Sequence, residues 1–283
     1  MFKELLSTHA VAPEAWWTLT APGDSIERAI LRGAQADRLG LAFIGGYSNA
    51  ISRLDPTITA LGALCATEVG GGHPRAIQTT LRDGVLNGMK TFVSGGLLAK
   101  TLLVVAKVGE RDGRPELKVA RIAANAPGVT HGEGMELDFV PEVPHGTVTF
   151  ENARVEAVLE GDGYERYLKP FRTIEDLHVF GAVIGCLIGN GREALPKVTL
   201  EQLLAQLAAI GTVARLPPGE SATHVTLAGI LTASKALIDF LDLKHFDADF
   251  RARFERDKKL LSIASKVREQ RRENAWAQLG TNS

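Results

Sequence analysis

From about residue 62 the sequence stops reading as helix and begins to read as short strands. That switch confines the chain to a fold that mixes α and β segments. Residues 101–109 form an apolar, β-branched run suited to a buried strand, and residues 117–124 (LKVARIAA) follow as another. Residues 146–155 (GTVTFENARV) alternate apolar and polar side chains, as a half-buried strand does. The dipeptides Asp83-Gly84 and Asn87-Gly88 read as successive tight turns, Arg111 to Arg114 as a polar turn, and Pro127-Gly128 as a strand break. Several short strands joined in this way predict a small barrel or sandwich.

Both flanks carry a helical period. In residues 24–54, Ile26, Ile30, Ala34 and Leu39 recur at roughly helical spacing. Asp24 or Ser25 is placed to cap the start, and Gly45 and Gly46 mark a break or a close helix contact. Beyond Gly163 a long apolar stretch with Ile174, Leu177, Ala182 and Ile184 runs to Gly191. Thr199 with Gln202 resembles a capping box opening the next helix, residues 217–221 separate it from a helix over 223–243, and a last helix covers 247–278. The fold class expected is α+β: a short N-terminal helical segment (1–61), a central β-domain (62–165) and a C-terminal antiparallel helical bundle (166–283).

Composition narrows the function classes. The formal net charge of -1 lacks the basic surplus of nucleic-acid binders, so no nucleic-acid partner is expected. Cys65 and Cys186 lie in apolar runs without metal-ligand spacing and read as reduced core residues. The N-terminus lacks a signal-peptide stretch, and no run of about 18 apolar residues suggests a membrane span. The expected location is cytoplasmic.

Four segments in order resemble the acyl-CoA dehydrogenase family. LCATEVGGGHP (64–74) stands where the family has a T-E-P-x-A-G-S-D segment, and LNGMKTFVSGG (86–96) matches its N-G-x-K-x-(W/F)-I-(S/T)-x-G strand. APGVT (126–130) supplies the P-G-V turn, and VTFENARVEAVL (148–159) the V-x-F-x-N-x-R-V link. The resemblance covers roughly residues 60–190 and implies the family fold, a helical domain followed by a β-domain and a helical bundle.

It also implies a flavin. By family position, Leu64, Ala66 and Thr67 would hold the isoalloxazine ring of FAD, with Phe92 as the aromatic surface against it and Ser94 as a nearby hydroxyl. Such a ring needs a stacking face and hydrogen bonds near N1, O2 and N5. Taken singly, these residues are better explained as strand ends and core; taken together within the motif, they favour the flavin. His73 replaces a serine of the family pattern. It is open to three readings: a reshaped acyl pocket, a phosphate contact, or, preferred, an exposed residue of the glycine loop.

The family's reaction needs a carboxylate to remove the proton next to the thioester carbonyl. The late Y-E-G-T-like loop that carries it in most members has no counterpart here. Members of the isovaleryl-CoA type place it on the first helix of the C-terminal domain, and alignment on TIEDLHVFGAVIG puts Glu175 there. The alternative for Glu175 is an acidic residue in the first turn of a helix, favoured by the dipole. Asp176 takes the place of a common arginine, which alters the expected substrate contacts; by family position His73 and Asp176 are the candidate substrate-binding residues. The R-x-Q-F-G segment is missing, and the Q-x-L-G-G-x-G segment survives at best as Ala277 to Gly280, so contacts to the remote half of FAD are reduced.

Three functions are consistent with the resemblance. The leading one is α,β-dehydrogenation of an acyl-CoA or other acyl thioester with FAD as acceptor. The others are a non-catalytic thioester binder or partner subunit, and a flavin-dependent monooxygenase. Family members pair through their C-terminal helices, which implies a homo-oligomer, dimer or tetramer. A second subunit or an electron-transfer flavoprotein is a further possible partner.

Overall fold

The computed structural model describes residues 1–280 and divides into two compact units. One comprises Met1–Ala50, Asp138–Glu142 and Thr173–Ser283; the other comprises Ile51–Leu137 and Val143–Arg172.

The helical unit draws on α1 (Phe2–Leu5), α2 (Pro13–Trp16), α3 (Ser25–Ala34), α4 (Leu39–Leu54), α5 (Lys169–Gly191), α6 (Lys197–Val213), α7 (Ser221–Asp239), α8 (Ala248–Asp257) and α9 (Ser265–Gln278). The expected cap of α3 forms as a full capping box: Asp24 accepts from the Glu27 amide, and Glu27 accepts from the Asp24 amide. Gly45 and Gly46 do not break α4. Gly46 lets that helix approach α5 so closely that a Cβ would lie 2.7 Å from the His178 carbonyl. The Thr199 capping box does not form. Pro196, with its fixed φ, is the N-cap of α6, and Thr199 falls inside the first turn. The long C-terminal helix is instead α8 and α9 separated by a 3₁₀ stretch over Lys258–Ser262, whose Leu260 and Leu261 are buried. Helix α7 packs on both α6 and α9. The short segment Asp138–Glu142 is held within this unit. The Val140 amide donates to Asp257, and Glu142 accepts from Arg38 and Arg256.

The other unit is an eight-stranded sheet: β1 (Gly62–Cys65), β2 (Thr80–Arg82), β3 (Val85–Ser94), β4 (Thr101–Arg111), β5 (Arg114–Ala123), β6 (Val129–Met135), β7 (His145–Arg154) and β8 (Ala157–Val158). The order is β6-β7-β3-β2-β4-β5-β8, with β1 paired in parallel to β4. The inward residues Cys65, Leu86, Val104, Ile122 and Phe150 share one core. Asp83-Gly84 closes the β2–β3 hairpin and Asp112-Gly113 the β4–β5 hairpin. All four residues have positive φ, as the favoured two-residue turns require. Asn87-Gly88 is not a turn. It lies within β3, where the Asn87 carboxamide accepts from the Asn152 amide at a bulge in β7.

Among the described residues, no helix is long and apolar enough to cross a membrane.

Candidate flavin-ring site

The residues expected to meet the ring sit at the end of β1 and along β3. Along β3, Leu86 and Lys90 point inward with the period of two that a strand imposes, but the next inward residue is Val93. An extra residue between Lys90 and Val93 shifts the register against β7. That bulge, with Phe92 at φ +54, turns outward a side chain that plain alternation would bury. Phe92 is accordingly 56% exposed. A bulky residue with positive φ is costly, and such strain tends to be kept where a side chain must be presented.

Beyond β1, Thr67 accepts from the Thr91 amide at 2.8 Å, which ties its backbone to the residue preceding Phe92. The backbone N–H groups of Ala66 and Thr67 take no part in the hydrogen-bond network of the described residues. The Thr91 hydroxyl is buried without a partner. Two amides without a partner among the described residues, the Thr67 hydroxyl and an exposed phenyl face are therefore gathered by a single link between two chain segments. This donor set fits an electron-accepting heterocycle with acceptor atoms along its edge, such as a flavin ring: the amides suit its pyrimidine edge, and the phenyl face suits its plane. Leu64 lies within β1 and is largely buried, paired with Leu103, and Ser94 ends β3 opposite His145.

Beneath these residues lies a pair that sequence reasoning missed. Lys90 is fully buried, and its ammonium donates to Glu68 at 2.7 Å and to the Ala66 carbonyl at 3.4 Å. Glu68 also accepts from the amides of Gln78 and Thr79, at 2.7 and 3.0 Å. Burial pushes the Glu68 carboxyl up, but Lys90 and the two amides outweigh it and hold the group below the usual range. Burial also lowers Lys90, against the pull of Glu68. The signal available in the sequence was a lysine at an inward strand position, for which a buried anion must be found.

His73 is exposed, and its Nδ1 accepts from the Arg75 amide to cap a 3₁₀ turn over Pro74–Ala76. Glu175 is half-buried and lies about two turns inside α5, so the dipole of a first turn does not account for it. Asp176 is buried, with both oxygens taken: Arg268 donates to one at 2.9 and 2.8 Å, and Arg271 donates to the other.

Comparisons with known proteins bear on the fold that carries this geometry. No protein-family model matches the chain. Isobutyryl-CoA dehydrogenase, mitochondrial, of Dictyostelium discoideum is 27% identical over 124 residues, 41% of this chain and 30% of that protein. The alignment thus spans less than a third of that relative. Among solved structures, butyryl-CoA dehydrogenase from Megasphaera elsdenii superposes with a TM-score of 0.66 at 16% identity, covering 90% of this chain and 83% of that one. FMN-bound TdsC from Paenibacillus sp. A11-2 superposes at 0.68 and 16%, covering 92% and 84%. The chain has the α+β fold of the acyl-CoA dehydrogenases. The resemblance to that family read from the four sequence segments is borne out.

Proposed function

We propose that this chain is a flavoprotein that dehydrogenates an acyl-CoA thioester between its α and β carbons, in the cytoplasm and as a homo-oligomer. The observation that carries the reading is the joint presentation of the free Ala66 and Thr67 amides with the outward Phe92 ring. FAD is the cofactor proposed from the sequence resemblance, and the likeness to an FMN-bound structure makes FMN the alternative. A bound flavin would supply the acceptor for the hydride that leaves the β carbon.

The chain's own residues would act as follows. The amides of Ala66 and Thr67, with the Thr67 hydroxyl, hold the polar edge of the ring, Phe92 covers its plane, and Leu64 and Ser94 complete the cradle. Glu175 removes the α proton. Its carboxylate is half-buried on α5, and a positioned carboxylate of this kind can serve as a general base. Asp176, expected as a substrate contact, is held by two arginines, which supports a role in fixing the helix turn that bears Glu175. His73 lies on the glycine loop, where its exposed ring is free to meet the substrate's phosphates.

The test is anaerobic mixing of the flavin-loaded protein with isobutyryl-CoA, butyryl-CoA and longer thioesters. Bleaching of the flavin band by at least one thioester is expected, with the rate lowered by about two orders of magnitude or more in Glu175→Gln. A flavin-loaded protein that no thioester bleaches contradicts the dehydrogenase reading. It would leave a flavin protein with different chemistry.

A further inference from the structure

The Ala66 carbonyl that receives the Lys90 ammonium belongs to the same peptide unit as the Thr67 N–H. A peptide group is a single polarised system. A cation at its oxygen draws electron density from its nitrogen and makes the N–H a stronger donor. The Thr67 N–H is one of the two amides beyond β1 that have no partner among the described residues. The charge that polarises it is fixed in place, because Lys90 has no exposed surface and its stem is enclosed by the sheet.

Placing an ammonium here is unfavourable unless something holds it. Glu68 does, and it is held in turn by the Gln78 and Thr79 amides. The fold has therefore built a buried ion pair whose positive end faces the backbone of the candidate ring site and whose negative end is turned toward the segment after the glycine loop. A hydrophobic residue would fill the same space at no electrostatic cost, since replacing buried ion pairs with apolar side chains is often neutral or stabilising. The pair also bridges the two segments that supply the candidate site: Glu68 follows Thr67, and Lys90 precedes Thr91 and Phe92.

We propose that Lys90 is an electrostatic positioning residue for the flavin, acting through the Ala66–Thr67 peptide to favour the reduced ring. The proposal rests on the flavin reading above. When a flavin gains electrons, negative charge develops on the pyrimidine side of its ring system. A strengthened donor there binds the reduced form more tightly than the oxidised form, which raises the reduction potential. Lys90 does not touch the ring in this account. It sets the strength of a donor that does, and Glu68 keeps it charged and aimed.

The experiment compares the wild-type protein with Lys90→Met and with the double variant Glu68→Gln/Lys90→Met. The double variant leaves no buried charge unpaired and keeps a carbonyl acceptor for one of the Gln78 and Thr79 amides, which the two Glu68 oxygens receive separately. Each is loaded with FAD or FMN, freed of excess ligand and titrated to its equilibrium reduction potential. Oxidised-flavin affinity and melting temperature are measured alongside. The expected result is a lower potential in the double variant, at a melting temperature above that of Lys90→Met, because one unsatisfied amide costs less than a buried unpaired carboxylate. The expected size is about a tenfold loss of preference for reduced over oxidised flavin, about 30 mV for a two-electron couple. Lys90→Met is expected to shift in the same direction and to melt lower as well, because Glu68 is then left without its cation.

A merely structural role would weaken binding and stability together and leave the potential of the bound flavin unchanged. That outcome overturns the inference while leaving the flavin reading intact. A wild-type protein that retains neither flavin overturns both.

Discussion

Replacing Asp176 with asparagine should destabilise the helical unit by about 3 kcal/mol. Asp176 is the only carboxylate that Arg268 and Arg271 contact among the described residues. Both guanidinia are largely enclosed, with side-chain exposures of 19% and 15%. Removing one partner of a buried ion pair generally costs about 3–5 kcal/mol, because the remaining charge is left desolvated. The lower end applies here for two reasons. Each guanidinium keeps some water contact, and Arg268 retains its hydrogen bond to the Leu261 carbonyl at 2.8 Å and its position over the Phe180 ring. For a unit of this size, 1 kcal/mol moves the melting temperature by about 2–4 °C, so the expected drop is about 6–12 °C. Calorimetry or circular dichroism melts measure it. The same substitution made in an Arg271→Met background should cost about 1–2 kcal/mol less, because one of the stranded charges is already gone. A melting point within about 2 °C of wild type, or equal costs in the two backgrounds, would refute the reasoning that these three side chains form a coupled buried cluster.

Other expectations concern both units. Glu68 and Asp55 are both held below the ordinary carboxylate range. At Asp55 burial pushes the other way but is outweighed by Thr57 and Arg121. The unfolded chain therefore takes up protons at these groups at a higher pH than the folded one. Their contribution is complete near neutrality and is lost as pH falls below the normal carboxylate values; urea titrations from pH 7 down should show this, with a shallower slope in Asp55→Asn. Burial pushes the Cys65 thiol up to about 12 and raises Cys186 as well. A thiol reagent at pH 8 should thus modify neither cysteine in the native protein and both in denaturant; rapid native labelling would contradict the buried placement. Gly88→Ala should destabilise the sheet by about 1–3 kcal/mol, since Gly88 has φ +142 and an added Cβ would meet Thr79 at 2.7 Å. A denaturant midpoint unchanged from wild type would count against that backbone.

Much of the fold was legible because its signals are local. Asp83-Gly84 and Asp112-Gly113 each specify a turn through two residues that tolerate positive φ, and Asp24 with Glu27 caps α3 within a single turn. Asn87-Gly88 carries the same dipeptide signal, yet it sits inside β3 because what it pairs with is a bulge 65 residues away. No local pattern encodes that partner. The candidate site divides in the same way. Thr67 and Phe92 were marked by the motifs that contain them. The Glu68–Lys90 pair spans 22 residues, so its partner is not local, and the bulge after Lys90 must be counted before Phe92 can be seen as outward. The arginines that close on Asp176 come from 92 and 95 residues further on, in a helix whose charged composition reads simply as a solvated face.

The central claim is that the end of β1 and the bulge of β3 form a flavin-ring site. The most direct measurement is the visible absorption spectrum of the purified chain after incubation with FAD or FMN and removal of the excess by gel filtration. The account predicts that flavin bands remain with the protein, and that Phe92→Ala retains them at least about fivefold less tightly, as expected for the loss of about 1–3 kcal/mol of stacking on one ring face. A colourless protein from both incubations, folded by circular dichroism, would contradict it.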